Sequence, residues 1–195
     1  MENFTKLMDS IYFKNDSELY VNQFISSKLT YTEKGLVLTQ ESSVITGGET
    51  TTLTISAKSG STDGFDLMIR VPDWLASDME ITLNGEAVSY TVTHGYAKIS
   101  GPFNDGDVIT ITTPMEVVAY NLPDGENTLA FKYGPIVLAA DLGNENMTTT
   151  TTGVSVTIPQ LSSAVTKVIN TSADSIEEFM ENISQYLVKG EGLSF

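Results

Sequence analysis

Phe65-Asp66-Leu67-Met68-Ile69-Arg70-Val71-Pro72-Asp73-Trp74 is the stretch whose period decides the fold. Phe65, Leu67, Ile69 and Val71 alternate with Asp66, Met68 and Arg70, so one face is apolar throughout and the other is mixed, which is the pattern of a strand. Pro72 lacks an amide donor and has a fixed φ, so regular pairing stops there, and Asp73 and the single tryptophan, Trp74, leave the ladder at a corner. The run reads as a central strand. Immediately before it, Thr51 to Ala57 alternates as cleanly, with Leu53 and Ile55 on one side and Thr52, Thr54 and Ser56 on the other. The small polar loop Lys58 to Gly64 predicts that these two strands are neighbours joined by an exposed tip.

Further toward the N-terminus, Leu19 to Ile25, Lys28 to Thr32 and Leu36 to Glu41 are short segments rich in aromatic and β-branched residues, with Glu33-Lys34-Gly35 as a hairpin turn. Phe4, Leu7, Met8 and Ile11 fall at i, i+3, i+4 and i+7, which predicts a short amphipathic helix from Met1 to about Ile11. Beyond Trp74, Glu80 to Leu83 runs into Asn84-Gly85, a pair suited to the positive φ angles of a type I′ turn, and Glu86 to Val92 returns. His94-Gly95 marks another turn before Tyr96 to Ser100, and Asn104-Asp105-Gly106-Asp107 a further one before Val108 to Thr112. Met115 to Tyr120, Thr128 to Tyr133 and Ile136 to Ala140 are three more candidate strands.

From Leu19 to Ala140 this gives about twelve short strands at intervals of about ten residues with no helical period, the signature of an antiparallel sandwich or barrel. The sandwich is preferred, because nothing in the pattern fixes the shear that closure requires. After Leu142 the character shifts. Val154 to Ile158 reads as a strand; Ser175 and Glu178 stand in capping-box spacing; and Ile176, Phe179, Met180, Ile183, Tyr186 and Leu187 share one helical face, closed by Gly190 and Gly192. The expected architecture is therefore mainly β, an antiparallel β-sandwich with a short N-terminal helix and a C-terminal helix. The expected divisions are 1–14, a helix belonging to a preceding domain; 15–143, the sandwich; and 144–195, a linker, strand and amphipathic helix opening an incomplete following domain.

Composition narrows the function. The formal charge is −15, from 25 acidic and 10 basic residues among 195. Nucleic acids and anionic membranes are polyanions drawn to Lys and Arg clusters, so neither is expected as a partner, whereas neutral partners such as sugars are compatible. Cysteine is absent, which excludes disulfides, a thiol nucleophile and thiolate metal ligation. No apolar run approaches the roughly 20 residues that span a bilayer, and the N-terminus lacks a basic region followed by an apolar core, so the compartment stays open.

Each candidate for chemistry has a plainer structural reading. His94, the only histidine, sits in a turn without the spacing of a metal site. Asp63, Asp66 and Asp73 could pair as acid and base only if they faced each other across a substrate. Asn104 to Asp107 lacks the oxygen positions and terminal glutamate of a calcium loop and reads as a turn. Trp74 with Tyr90 or Tyr96 could form a sugar-stacking platform, but a tryptophan directly after a strand and a proline more often seals a core edge. No catalytic, substrate-binding or metal residue is therefore assigned, and no cofactor is expected in this chain.

Five signatures in order carry a family resemblance: IYFKNDSELYVNQFISSKL, FDLMIRVPDW, ITLNGE, GYAKISGPFNDGDVITITTPM and FKYGPIVLAADL. Together they resemble the region that follows the catalytic barrel in the β-L-arabinofuranosidase-like glycoside hydrolases of families 127 and 146. The resemblance covers about Met1 to Leu142, and TTTTGVSVTIP at 149–159 follows it more loosely. It implies retaining enzymes whose (α/α) barrel carries a cysteine nucleophile in a zinc-thiolate cluster and a glutamate acid/base. MENFTKL resembles the stretch just after their Cys-Cys-Gly-Thr-Gly motif, and Glu2 and Asn3 match positions flanking the site without a role of their own. The barrel, its zinc ligands and its glutamate are missing from this sequence. The resemblance thus implies a non-catalytic sandwich, inactive alone, whose partners are the missing barrel and a possible second copy. An autonomous carbohydrate-binding module is the alternative.

Overall fold

A computed structural model describes residues 6, 8–58, 61–62, 64–123, 125–141, 147–150, 153–156, 168–170, 172–188, 190 and 193–194. The chain forms two units, Met1–Met115 and Glu116–Phe195. Their boundary falls inside the segment 15–143 that the sequence pattern drew as one domain.

In the first unit the strands are β1 (Tyr12–Lys14), β2 (Glu18–Val21), β3 (Ser27–Tyr31), β4 (Leu36–Ser42), β5 (Thr50–Ala57), β6 (Ser61–Thr62), β7 (Asp66–Arg70), β8 (Glu80–Leu83), β9 (Glu86–Ala87), β10 (Thr91–Thr93), β11 (Tyr96–Ser100), β12 (Phe103–Asn104) and β13 (Val108–Thr112). One sheet has the order β1-β2-β7-β11-β10, the other β3-β4-β5-β13-β8-β9, and β12 pairs with β6. Alternation decides which way each strand faces. Leu19, Val21, Leu67, Ile69, Ala97 and Ile99 from the first sheet meet Leu36, Leu38, Leu53, Ile55, Ile109 and Ile111 from the second in one buried cluster. Two sheets packed through their apolar faces make the expected sandwich. Each of these large aliphatic side chains contributes about 1.5–3 kcal/mol on burial.

The pairing of the central strand differs from expectation. β5 pairs with β4 and β13, whereas β7 pairs with β11 and, in parallel, with β2. β5 and β7 are thus not hairpin neighbours. The physical reason is that Leu53 and Ile55 must face Leu67 and Ile69 across the core, so the chain between them passes from one sheet to the other. The parallel pair follows from the same passage. A parallel ladder needs a long crossover, here supplied by β3, β4 and β5 of the opposite sheet rather than by a helix. The run Glu86 to Val92 also splits: β9 belongs to the six-stranded sheet and β10 to the five-stranded one, with Val88 and Tyr90 packing on the core as the chain crosses.

At the N-terminus, Lys6 is helical and Met8–Ser10 form a 3₁₀ turn. Ile11 is buried and Met8 is exposed, while Phe4 and Leu7, the other two residues of the expected apolar face, lie outside the described residues.

The second unit holds β14 (Val117–Leu122), β15 (Gly125–Tyr133) and β16 (Ile136–Val137) in one antiparallel sheet, the hairpin β17 (Met147–Thr150) and β18 (Gly153–Val156), and two short helices, α1 (Ile176–Glu181) and α2 (Ile183–Tyr186). Ala119, Phe131, Val168 and Ile183 form its buried cluster. The expected continuous helix is broken at Asn182, whose φ of −119° leaves the helical region. Its side-chain amide donates to the Glu178 carbonyl at 3.2 Å, the same oxygen that accepts its backbone amide. An asparagine that engages nearby backbone in this way competes with helix continuation. Ile176, expected on the apolar face, is 49% exposed at the start of α1, whereas Phe179 and Met180 pack on the cluster. Near the terminus, Ser194 bridges Ala139. No helix among the described residues is long and apolar enough to cross a membrane.

Candidate functional site

The corner after β7 is structural. Trp74 packs half-buried against the core cluster, as does Tyr90, whose hydroxyl donates to the Met79 carbonyl at 2.6 Å. Burial pushes the Tyr90 phenol up, with the Asp78 carboxylate adding to it. Tyr96 is elsewhere: its neighbour Ala97 points into the core, so Tyr96 stands on the outer face of the five-stranded sheet. Of the two pairs that could have made a stacking platform, Trp74 with Tyr96 is therefore not assembled, and Trp74 and Tyr90 both pack half-buried on the core.

The carboxylates and the histidine divide in the same way. Asp107, buried, accepts from the Asn104 amide at 2.7 Å and from the Asn84 side chain at 2.8 Å, and Asp105 accepts from the Ala57 amide at 2.8 Å. Both acids of the calcium-loop-like segment thus hold turns. His94 has φ 51° and Gly95 φ 79°, the two left-handed positions of a type I′ hairpin, and His94 is exposed. Asp73 is exposed, Asp66 lies on β7, and Asp63, Glu2 and Asn3 lie outside the described residues.

Register brings together a set of polar and aromatic side chains that no motif announced. Glu18, Asp66 and Ser100 form one row across β2, β7 and β11, and Tyr20, Met68 and Lys98 the next. Lys98 reaches Asp66 at 2.5 Å and, with Ser100, holds that carboxyl below its usual range. The Tyr20 hydroxyl donates to Glu18 and lowers it likewise. Tyr96 donates to Asn22 at 2.7 Å, Arg70 donates to the same oxygen at 3.2 Å, and the Tyr20 and Tyr96 rings meet edge to face at 5.0 Å. Met68, expected on a mixed outer face, is only 4% exposed under this layer. The layer balances its own charges and covers the sheet. The signal that could have found it is the outward alternation of β7 and β11, once their register is known.

Among the described residues, two of the depressions open to solvent adjoin the first unit's sheets. One, of about 340 Å³, lies beside Asp66 and is lined by Ser17, Gly64, Phe65, Gly101 and Pro102. The other, of about 350 Å³, opens between β1–β2 and β3, with Tyr12, Phe13, Leu29 and Tyr31 among its walls and Lys14 and Glu33 at its rim.

The zinc site of the resembling family does not fit these residues. It needs thiolates, and the chain has no cysteine; among the described residues no three His, Asp or Glu side chains converge as a metal site.

A two-layer β-sandwich whose buried and half-buried polar groups brace turns and sheet edges is the class of protein this geometry defines. Residues 18–115 match the family model described as beta-L-arabinofuranosidase, GH127 middle domain, which is half of the chain, and the chain belongs to that family. Among solved structures, it is similar to a GH127 β-L-arabinofuranosidase from Geobacillus stearothermophilus T6, with 26% identity and a TM-score of 0.57 over 69% of this chain and 22% of that one. A GH127 β-arabinofuranosidase, BT3674, shares the fold at 24% identity and a TM-score of 0.56, over 65% of this chain and 23% of that one. A further structure described as a glycoside hydrolase gives 25% identity and a TM-score of 0.54, over 65% and 22% respectively. The chain thus corresponds to less than a quarter of the length of each of these proteins. No curated protein matches it.

Proposed function

We propose that the sandwich is a non-catalytic domain of a β-L-arabinofuranosidase-like glycoside hydrolase, packing on an (α/α) catalytic barrel and contributing to dimerisation. The observation that carries this reading is the correspondence of residues 18–115 to the middle domain of that family. The polar groups of the sandwich support it, because Asp105, Asp107 and Asn84 are engaged in holding turns. In this reading the zinc-thiolate chemistry resides on the barrel, and the sandwich supplies rigidity and contact surface.

The test uses this chain and a separately produced barrel domain of the family. The chain alone is expected to release no arabinose from a β-L-arabinofuranoside, with or without zinc, and to co-sediment with the barrel. Zinc-dependent release by the chain alone, or failure to associate with the barrel, overturns the reading.

A further inference from the structure

We propose that Asn84 is a site of spontaneous deamidation guarded by its own turn, and that the modified residue unfastens this end of the sandwich. Nothing in the domain reading bears on it. Three observations on the Asn84-Gly85 hairpin carry the inference.

The first is the chemistry of the pair. Asn84 and Gly85 are both exposed, and a Cβ at Gly85 would meet nothing within 4 Å, so the turn is open to water and base. A glycine amide, with no Cβ beside it, is the least hindered backbone nucleophile. Once it gives its proton to solvent, the Gly85 nitrogen bonds to the Asn84 Cγ as the Cγ–Nδ2 bond breaks, and Nδ2 leaves as ammonia with a proton from water. Water then opens the resulting succinimide at either carbonyl, leaving aspartate or isoaspartate. The reaction needs no oxidant and no second protein.

The second is the geometry of the folded turn, which opposes this attack twice. The φ angles of 53° at Asn84 and 87° at Gly85 are those of a type I′ turn, in which ψ of the first residue is about 30°. At that ψ the Gly85 nitrogen lies across the Cα–C bond from the Asn84 Cβ, whereas closing the five-membered ring requires both on the same side. The side chain is held as well: Nδ2 donates to Asp107 at 2.8 Å, and Oδ1 accepts from the Val108 amide at 2.9 Å. Reaction therefore requires the turn to open locally.

The third is what replaces the amide. A carboxylate at position 84 has no proton to give Asp107, and it presents an oxygen to a buried acid whose other oxygen already accepts from Asn104. Like charges so close repel. Isoaspartate in addition lengthens the backbone inside the tight connection between the paired Leu83 and Glu86. A deamidated molecule thus loses the link between its two turns permanently.

Incubation of the full chain at neutral pH, with peptide mass spectrometry and isoaspartate detection at Asn84, tests this. The expected rate in the folded chain is slower by about tenfold or more than in the same chain held unfolded in urea. Asp107→Ala, still folded, should deamidate about tenfold faster than the unaltered chain, since one of the two side-chain restraints is gone. Asn84→Asp, which imitates the product, should unfold at a lower urea concentration than the unaltered chain. Equal rates in the folded and unfolded chain, an unchanged rate in folded Asp107→Ala, or an unchanged midpoint in Asn84→Asp would each overturn the proposal. The first comparison uses no variant, so it decides even where a substitution prevents folding.

Discussion

Asn84 and Asp107 tie two turns at one end of the six-stranded sheet into a single unit. The Asn84 amide donates to Asp107 at 2.8 Å while its carbonyl oxygen accepts from the Val108 backbone at 2.9 Å. Asp107 returns the bond to its own turn by accepting from Asn104. Asp107→Ala removes the acceptor of two hydrogen bonds whose donors, on the exposed Asn84 and Asn104, can turn to water, and the expected cost is about 1–2 kcal/mol. Urea unfolding should show a lower midpoint at unchanged slope. A midpoint equal to that of the unaltered protein would refute the structural role of this aspartate.

The turn at His94-Gly95 predicts opposite responses at adjacent positions. Both residues are left-handed, and a Cβ at Gly95 would meet nothing within 4 Å, so the penalty of Gly95→Ala is purely conformational, about 1–2 kcal/mol. His94→Asn places a residue that tolerates positive φ better, and its stability is expected within about 0.5 kcal/mol of the original or above it. Thermal unfolding of the two variants distinguishes a turn histidine from one held in place by other contacts, which would lose stability on replacement.

Asp66 and Glu18 give the outer face of the five-stranded sheet an acid dependence of definite sign. Lys98 and Ser100 lower Asp66, and Tyr20 and Asn15 lower Glu18. Groups lowered on folding stabilise above their unfolded values, about pH 4, and that contribution disappears as pH falls through the depressed folded values. In Lys98→Met the Asp66 carboxyl should titrate at a higher pH than in the unaltered chain, read by carbon-detected NMR. An unmoved Asp66 titration would show that Lys98 is not its principal partner.

In the second unit, Ser175 accepts from the Glu178 amide at 3.0 Å, and Glu178 accepts from the Asp174 amide at 2.9 Å. Removing the cap in Ser175→Ala is expected to destabilise α1 by about 1 kcal/mol. Amide exchange should quicken over Ile176–Glu181 before it changes on β14. Uniform quickening of the whole unit would mean that the cap holds more than its own helix.

Much of the sandwich was legible because its strands obey a period of two and its turns use residues with one conformational purpose. Leu53 and Ile55, Ile109 and Ile111, and Asn84-Gly85 took the places their alternation and turn chemistry predicted. Pairing partners were not legible. Leu67 looks the same to a hairpin neighbour as to a strand brought from farther away, so nothing in Phe65 to Trp74 announced β2 on one side. The break at Asn182 was hidden for a related reason: the apolar period of the second half continued across it and does not register the backbone angle of one polar residue.

The parallel contact between β2 and β7 also sets an order of events for the growing chain. Leu19 and Val21, already paired with Lys14 and Tyr12 of β1, acquire their partners on the other side only when Leu67 and Ile69 exist, after the whole of β3, β4 and β5 has been made. Until then the first hairpin, β1 with β2, has an unpaired edge and an apolar face exposed to solvent. Closing such a distant pair requires loop-closure entropy to be met before any contact rewards it. The β3–β4–β5 meander, built from consecutive neighbours, can form first and present the surface on which the later sheet assembles. The early hairpin is then a late arrival in the folded sheet, although it is synthesised before every other strand.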